Sequence, residues 1–325
     1  MTGVLREPDR AYTAGVRGPR ACFVGVVLAA GAAAGAAQPP DRSQTTPFRS
    51  SIELTVVTAT VRDGNGRLVQ GLPRTAFEIY EDGERQAITQ FTNERVALGL
   101  GLLLDISESM FGERIRAARA AVERFLFDLL APSDEFFVLA FNHEPHILTG
   151  WTRTPSVVRE ALDRVRPFGG TAIYDAVMGA LPLVRSRSRE RAALVVISDG
   201  ADTASDTTLR GLGSALLRSD TFVYAIAIDA PDRQPNHTVV NPETLSEITG
   251  QSGGYTEIVH GPDDLDAATA RIAEELNSQY VIGYSSPHPG DGRYHSIRVR
   301  AAGGDYHVRA RNGYVAVRGP RTVNR

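Results

Sequence analysis

The 325-residue sequence predicts an α/β protein, with a doubly wound, mostly parallel sheet carrying helices on both faces and inserted in a small antiparallel β-sandwich. Two observations lead to this fold class. Apolar and polar residues alternate with a period of two in residues 51–96 and 277–318, which is typical of strands that bury one face. Between these segments, in residues 97–276, apolar runs alternate with stretches of helical period, which indicates parallel strands joined by crossover helices.

The first 50 residues predict export rather than a folded element. Four arginines precede an Ala/Gly-rich apolar run that ends at Ala37, so residues 1–37 have the pattern of a signal peptide and residues 38–50 that of a linker. An uncleaved N-terminal anchor is the alternative. We therefore expect a secreted, periplasmic or cell-surface protein. The single cysteine, Cys22, lies in this segment, so cleavage would exclude a cysteine nucleophile and a thiolate metal site.

The two β segments are expected to form one sandwich domain that is split in sequence. In residues 51–96 we expect about four strands, with hairpin turns at Asp63–Gly66 and at Asp82-Gly83. In residues 277–318 the strands are expected to turn as a hairpin at Gly303-Gly304, and residues 319–325 form a tail. Neither segment alone is long enough to form a stable domain with its own hydrophobic core. Two unrelated flanking extensions are the alternative.

The central segment, residues 97–276, supplies the parallel sheet. Residues of one stretch, Ile115, Ala118 and Val122, recur at helical spacing, and similar patterns mark five further helices. The apolar runs expected to be strands are residues 96–104, 136–141, 192–197 and 222–228, and the expected helices are residues 113–130, 155–165, 171–184, 207–217, 242–249 and 263–276.

The first of these strands ends in "LLLDISESM", which places Asp105, Ser107 and Ser109 at the carboxyl end of a buried strand. In an open parallel sheet, ligands bind beyond this end of the strands. The same residues could simply cap the helix that begins near Glu113, because hydroxyls and carboxylates are common helix caps. Both interpretations stay open on this stretch alone.

Two further stretches favour a metal site. "GGTAIYDA" places Thr171 in a loop before another helix, and "LVVISDGAD" places Asp199 at the end of the next strong strand. Together with Asp105, Ser107 and Ser109 they form a set of oxygen donors without nitrogen or sulfur. This donor set suits a hard divalent cation, Mg²⁺ first, with Mn²⁺ or Ca²⁺ as alternatives.

The Asp-x-Ser-x-Ser, Gly-Gly-Thr and Ser-Asp-Gly stretches, in this order, resemble the metal-ion-dependent adhesion site of von Willebrand factor A domains. The resemblance covers residues 97–276. It implies a Rossmann-like fold in which Ser107, Ser109 and Thr171 contact the metal directly, whereas Asp105 and Asp199 act mostly through waters. It also implies a coordination position open to an Asp or Glu carboxylate of a protein ligand. The flanks resemble bacterial secreted proteins related to this family, of the acidobacterial type.

An enzyme is the competing class, as a metal-dependent hydrolase or an accessory subunit of a larger machine. A hydrolase needs a general base near the ion. Glu108 is the best candidate, because its carboxylate is not one of the expected metal ligands. His143–His146 ("HEPH") has the pattern of a turn, the other histidines are scattered, and Asp175 and Asp202 are expected at loops or helix starts. No Walker-type glycine loop is present.

The sequence therefore predicts a secreted or cell-surface, metal-dependent protein-binding module of adhesion type that is not an enzyme. The net charge of −3 gives no reason to expect nucleic acid as a partner, or membrane binding beyond the signal segment.

Overall fold

Three β-sheets organise the computed structural model, which describes residues 54–229 and 241–317. The strands are β1 (Leu54–Asp63), β2 (Phe77–Glu81), β3 (Glu84–Gln86), β4 (Ile88–Thr92), β5 (Leu98–Asp105), β6 (Glu135–Phe141), β7 (Pro145–Thr152), β8 (Arg191–Ser198), β9 (Phe222–Ile228), β10 (Thr256–Val259), β11 (Tyr280–Ser285), β12 (Tyr294–Ala301), β13 (Tyr306–Ala310) and β14 (Gly313–Val315). The helices are α1 (Glu113–Arg124), α2 (Ser156–Arg164), α3 (Ile173–Arg185), α4 (Leu209–Leu216), α5 (Pro242–Ser252) and α6 (Pro262–Asn277).

The central sheet has six strands in the order β10-β9-β8-β5-β6-β7. All neighbouring pairs are parallel except β6 and β7, which are antiparallel. Every residue of β5, β6, β8 and β9 is buried, as expected for parallel strands covered on both faces. Gly101 of β5 leaves room for its neighbours, because a Cβ there would lie 2.4 Å from side-chain carbons of Leu194 and Phe137.

Helices cover both faces of this sheet. Apolar residues of α1, α2 and α6 pack on one face, and those of α3, α4 and α5 pack on the other. The predicted α/β class is therefore confirmed, and all six helices lie where the periodicity placed them. The first predicted helix is α1 followed by a π-helical turn at Phe125–Leu129.

The central sheet also contains two strands that the sequence pattern missed. β7 is half exposed and mixes polar with apolar residues, so it lacks the buried run that marks the other strands. β10 has four residues, too few to show a period.

Two four-stranded antiparallel sheets contain strands from both flanks of the α/β unit, in the orders β13-β1-β11-β4 and β14-β12-β2-β3. Their apolar residues, among them Val57, Ile79, Tyr280 and Val299, share one core. The antiparallel part of the predicted fold class is thus present. All described residues nevertheless belong to one compact unit, so the boundaries of a separable domain stay a prediction.

One of the three predicted hairpins is wrong. β12 and β13 flank the Gly303-Gly304 turn, yet β12 pairs with β2 and β14 whereas β13 pairs with β1. The cause is long-range pairing, because β1 and β2 come from the other flank of the α/β unit. The predicted turn at Asp63–Gly66 is present: the N–H of Gly66 donates to the carbonyl of Asp63, and the chain returns through an antiparallel bridge between Arg62 and Leu68. The turn at Asp82-Gly83 does connect a hairpin, β2 to β3.

A buried carboxylate ties the end of α6 to these flanking strands. The Glu275 side chain is fully buried and accepts hydrogen bonds from Arg62 of β1 at 2.9 Å and from the hydroxyl of Tyr224 of β9 at 3.0 Å. It also pairs with Arg309 of β13. A buried charge is tolerated only when it is paired and hydrogen-bonded, so these contacts fix the last helix against β1, β9 and β13.

The predicted signal peptide (1–37), linker (38–50) and tail (319–325) lie outside the described residues. These three assignments stay predictions. Within the ranges that the structure describes, no helix combines the length and apolar character needed to cross a membrane.

Candidate metal centre

The candidate metal centre lies at the carboxyl ends of two neighbouring strands. β5 and β8 are parallel and in register, with Leu104 opposite Ile197. Asp105 is the last residue of β5, and Asp199 directly follows β8. The sheet therefore brings both acidic residues to the same edge, where they are almost completely buried, with exposures of 0% and 1%.

Local hydrogen bonds fix the Asp105 carboxylate. Its Oδ1 accepts a hydrogen bond of 2.8 Å from the backbone N–H of Ser107, and its Oδ2 accepts one of 2.5 Å from the hydroxyl of Ser198. The hydroxyl oxygens of Ser107 and Ser109 lie 3.0 Å apart. Asp105 thus shapes the loop that brings the two serine hydroxyls together.

The helix-capping interpretation of this loop is wrong. The N-cap of α1 is Gly112, and no side chain caps that helix. Ser107 precedes the 3-10 turn Glu108–Met110, but its hydroxyl makes no capping bond there either. The two serine hydroxyls hydrogen-bond to each other instead, so helix capping does not explain their presence.

The loop carrying Thr171 is joined to the serine loop by backbone hydrogen bonds. The N–H of Glu108 donates to the carbonyl of Gly169 at 3.0 Å. Gly169 has a φ of +75°, and a Cβ at this position would meet Nδ1 of His143 at 2.9 Å, so the turn requires glycine. Thr171 is buried, with an exposure of 3%. These bonds hold the threonine at the same edge as the serines.

The loop after β8 completes the arrangement. The N–H of Thr171 donates to the hydroxyl of Thr203 at 3.0 Å, and the carbonyl of Thr171 accepts from the N–H of Thr203 at 2.8 Å. Three chain segments, carrying Asp105, Thr171 and Asp199, are therefore interlocked at one edge of the sheet.

Burial leaves this centre with uncompensated negative charge. Loss of solvent and the neighbouring carboxylate of Asp199 raise the pKa of Asp105 to about 7. The guanidinium of Arg114 donates a hydrogen bond of 2.9 Å to Oδ2 of Asp199 and another of 3.2 Å to the carbonyl of Ser109. Oδ1 of Asp199 has no hydrogen-bond partner among the described residues.

These features fit a hard divalent cation. Hydroxyl and carboxylate oxygens are the donors that Mg²⁺ and Ca²⁺ prefer. A buried carboxylate oxygen without a partner is costly, and a nearby cation or the water it carries would compensate it. The donor chemistry and the unpartnered Asp199 oxygen therefore agree with the predicted type of ion.

Residues 100–201 match the family model described as the von Willebrand factor type A domain. The chain contains a von Willebrand factor type A domain. The matched stretch includes all five predicted site residues. A comparison with curated proteins gives no match.

Several solved structures resemble this chain. They include the conserved hypothetical protein BatB from Bacteroides thetaiotaomicron (20% identity, 55% of this chain and 97% of that chain covered, TM-score 0.47). The vWF domain of the type V pili tip protein Mfa5 from Porphyromonas gingivalis shares 14% identity over 56% of this chain and 96% of that chain, with a TM-score of 0.46. A von Willebrand factor type A structure from Catenulispora acidiphila shares 14% identity over 85% of this chain and 76% of its own, with a TM-score of 0.49.

We refer to the candidate metal centre, formed by Asp105, Ser107, Ser109, Thr171 and Asp199, as the A-domain centre. Other polar residues near it have structural partners. Oδ1 of Asp202 accepts hydrogen bonds from the N–H groups of Ile173 and Tyr174, at the start of α3. Asp175 accepts from the N–H groups of Asp206 and Thr207. These are the loop and helix-start roles that the sequence predicted for the two aspartates.

The structure also locates the candidate base, Glu108, and the "HEPH" stretch, for which the sequence pattern predicted a turn. Glu108 is exposed. The "HEPH" stretch forms the turn between β6 and β7, with His143 in the turn and His146 on β7.

The roles of two residues near the A-domain centre were not predicted from the sequence. Ser198 belongs to the Ser-Asp-Gly stretch, but its hydrogen bond to Asp105 joins two strands and leaves no signal in the local sequence. Arg114 is buried at 2% exposure. It lies four positions before Ala118 and so belongs to the apolar face of α1. An arginine on that face was the sequence signal that could have indicated a buried ion pair.

The interpretation of the histidines as scattered is wrong for His288 and His295. Their rings are stacked, with centroids 4.7 Å apart and an interplanar angle of 6°. They lie beside Glu81 and Asp82 of the first β segment, more than two hundred positions earlier in the chain. Sequence spacing gives no signal for such a long-range contact.

Proposed function

We propose that this chain is a metal-dependent protein-binding module that captures an acidic group of a partner through a divalent cation, Mg²⁺ first, with Mn²⁺ or Ca²⁺ as alternatives. Ser107, Ser109 and Thr171 hold the ion through their hydroxyls, and Asp105 and Asp199 act mostly through waters. The observation that carries the proposal is the convergence of these donors at one sheet edge, with a buried Asp199 oxygen that lacks a partner.

The charge of the centre favours capture of an anion. Three of the donors are neutral hydroxyls, and two are carboxylates. Arg114 already pairs with Asp199 and so neutralises part of the negative charge. A divalent cation bound here keeps positive charge to offer to an incoming carboxylate of an Asp or Glu side chain.

Binding is better supported than hydrolysis. A general base must lie within hydrogen-bonding reach of the water that it activates. Asp105 is held by Ser107 and Ser198, and Asp199 is paired with Arg114. Glu108, the candidate base, is exposed. These contacts favour an interaction module over an enzyme.

The proposed place of action is outside the cytoplasm, as a secreted, periplasmic or cell-surface protein. The support is the signal-peptide pattern of residues 1–37. The lack of a thiol after cleavage agrees with an oxidising compartment.

Calorimetric titration with Mg²⁺ tests the ion site. The unmodified protein is expected to bind one ion, and Asp105→Ala is expected to abolish this binding while circular dichroism stays unchanged. Asp305→Ala, which removes an exposed aspartate between β12 and β13, is the matched control. Equal affinity in the protein and in Asp105→Ala would contradict the assignment.

A capture experiment tests the role of the ion. The protein is immobilised and incubated with an extracellular fraction in Mg²⁺, and captured partners are expected to elute in excess EDTA. Amidation of the partners' carboxylates should prevent their recapture. A partner that stays bound in EDTA would show that the ion is not the capturing group.

A further inference from the structure

A second cluster of ligand-type side chains lies in the flanking sheet β14-β12-β2-β3. It consists of Glu81, Asp82, His288 and His295, and we refer to it as the histidine cluster. Glu81 is the last residue of β2, Asp82 follows in the turn to β3, and His295 lies on β12. β12 pairs with β2, so the sheet register places these residues side by side.

The ligand atoms of the histidine cluster converge on one point. Each of the four residues offers one atom, and all four atoms lie within 4.8 Å of one another. Nδ1 of His295 is 2.7 Å from Oδ2 of Asp82 and 3.8 Å from Oε1 of Glu81. His295 and Glu81 are buried, whereas Asp82 and His288 are exposed, so the cluster is open to solvent on one side.

The second nitrogen of His295 has the partner typical of a metal-binding imidazole. Nε2 lies 3.1 Å from Oδ1 of Asp291. In metal sites, a ligating histidine usually donates its other ring N–H to a carboxylate, which fixes the tautomer and orients the ring. In the structure Nδ1 is also hydrogen-bonded, to Oδ2 of Asp82 at 2.7 Å, so a metal ion that binds Nδ1 would have to displace the proton held there.

The buried side of the cluster contains a second polar group, the hydroxyl of Tyr284. Burial and the neighbouring Glu81 carboxylate raise the pKa of Tyr284, because both disfavour its ionised form. Glu81 itself is 1% exposed and accepts a hydrogen bond of 2.8 Å from Ser286. A cation bound by Glu81 would compensate the negative charge of this buried carboxylate.

We propose that Glu81, Asp82, His288 and His295 form a second cation site, one for a transition metal such as Zn²⁺. Mixed imidazole and carboxylate ligands suit Zn²⁺, whereas the hydroxyl-rich A-domain centre suits Mg²⁺. An ion lies near the plane of each imidazole that binds it, so the two stacked rings must tilt. His288 is exposed and is the ring that moves. The inference does not depend on the proposed function of the A-domain centre.

Zn²⁺ titration of the full chain in excess Mg²⁺, against a chromophoric zinc indicator, tests the proposal. Mg²⁺ keeps the A-domain centre filled, and we expect one Zn²⁺ per chain. His288→Ala removes an exposed ligand and should weaken binding by at least about tenfold, and Asp291→Asn should weaken it by about 10- to 100-fold. Asp105→Ala should leave the Zn²⁺ stoichiometry unchanged.

His146→Ala is the matched control, because His146 is also a partly exposed imidazole, with Nε2 3.7 Å from Oε1 of Glu144. The thermal unfolding temperature of each variant without Zn²⁺ checks that the fold is kept. Absence of Zn²⁺ binding, or equal affinity in His288→Ala and His146→Ala, would overturn the site. His295 would then be only a hydrogen-bonded link between Asp82 and Asp291.

Discussion

Replacing Asp105 by asparagine removes a buried carboxylate from the candidate metal centre while keeping its shape. Burial and the nearby Asp199 raise the pKa of Asp105 from its ordinary 3.8 to about 7. A rise of this size corresponds to about 4 kcal/mol, at about 1.4 kcal/mol per pH unit, and for a fully buried group it is an upper bound on the cost of the ionised form. Asp105→Asn should therefore stabilise the metal-free protein at pH 8 by up to about 4 kcal/mol.

The sign of the pH dependence follows from the raised pKa. The folded protein holds the Asp105 proton more tightly than the unfolded chain does, so this residue contributes stability below about pH 4. That contribution is lost as the pH rises from about 4 through about 7. The difference in unfolding free energy between Asp105→Asn and the unmodified protein should therefore grow over this window and level off above it.

Urea unfolding in EDTA at several pH values between 4 and 8, followed by circular dichroism, measures this difference. Asp305→Asn, at an exposed site, is the control. A gap that does not widen with pH would refute the reasoning about Asp105. Mg²⁺ should then stabilise the unmodified protein at pH 8, by RT ln(1 + [Mg²⁺]/Kd), but not the Asp105→Asn variant.

Three other substitutions test separate parts of the account. Arg114→Gln leaves Asp199 as an unpaired buried charge, so the metal-free protein should lose about 3–5 kcal/mol, and Mg²⁺ should restore part of it; equal unfolding temperatures with and without Arg114 would contradict this. Glu275→Gln should lower the free energy of unfolding in urea by about 2–3 kcal/mol. This value is reduced because the two arginine partners of Glu275 are one-third exposed. An unchanged urea midpoint would show that this contact does not hold α6. Gly169→Ala places a Cβ against His143 at positive φ and should cost about 1–2 kcal/mol and weaken Mg²⁺ binding in calorimetry, whereas Gly150→Ala, which meets no neighbour, should not.

The strands and helices of the α/β unit were predictable because the burial of each element determines its local pattern of apolar residues. β5 and β8 are buried on both faces and therefore appear as continuous apolar runs. β7 is partly exposed, so its sequence carries no clear period. Pairing partners were harder to predict, because the strand that joins β1 or β12 is chosen by long-range packing and not by the nearest turn.

Most of the candidate site was predictable from local spacing in the sequence. The residues that reach a site through long-range contacts were not predictable. Asp105, Ser107 and Ser109 follow one strand at fixed spacing, and the parallel sheet brings Asp199 beside them. Arg114 reaches this site from a helix face on which an apolar residue was expected. His295 meets Asp82 from the other end of the chain. Contacts of this kind depend on the folded arrangement of the strands and leave no spacing signal.

Anomalous diffraction from crystals grown with Mn²⁺ tests the central claim most directly. We expect a peak at the carboxyl ends of β5 and β8, about 2.0–2.3 Å from the hydroxyl oxygens of Ser107, Ser109 and Thr171, and we expect it to disappear in Asp105→Ala. A Mn²⁺ peak found elsewhere while these hydroxyls keep their metal-free arrangement would contradict it.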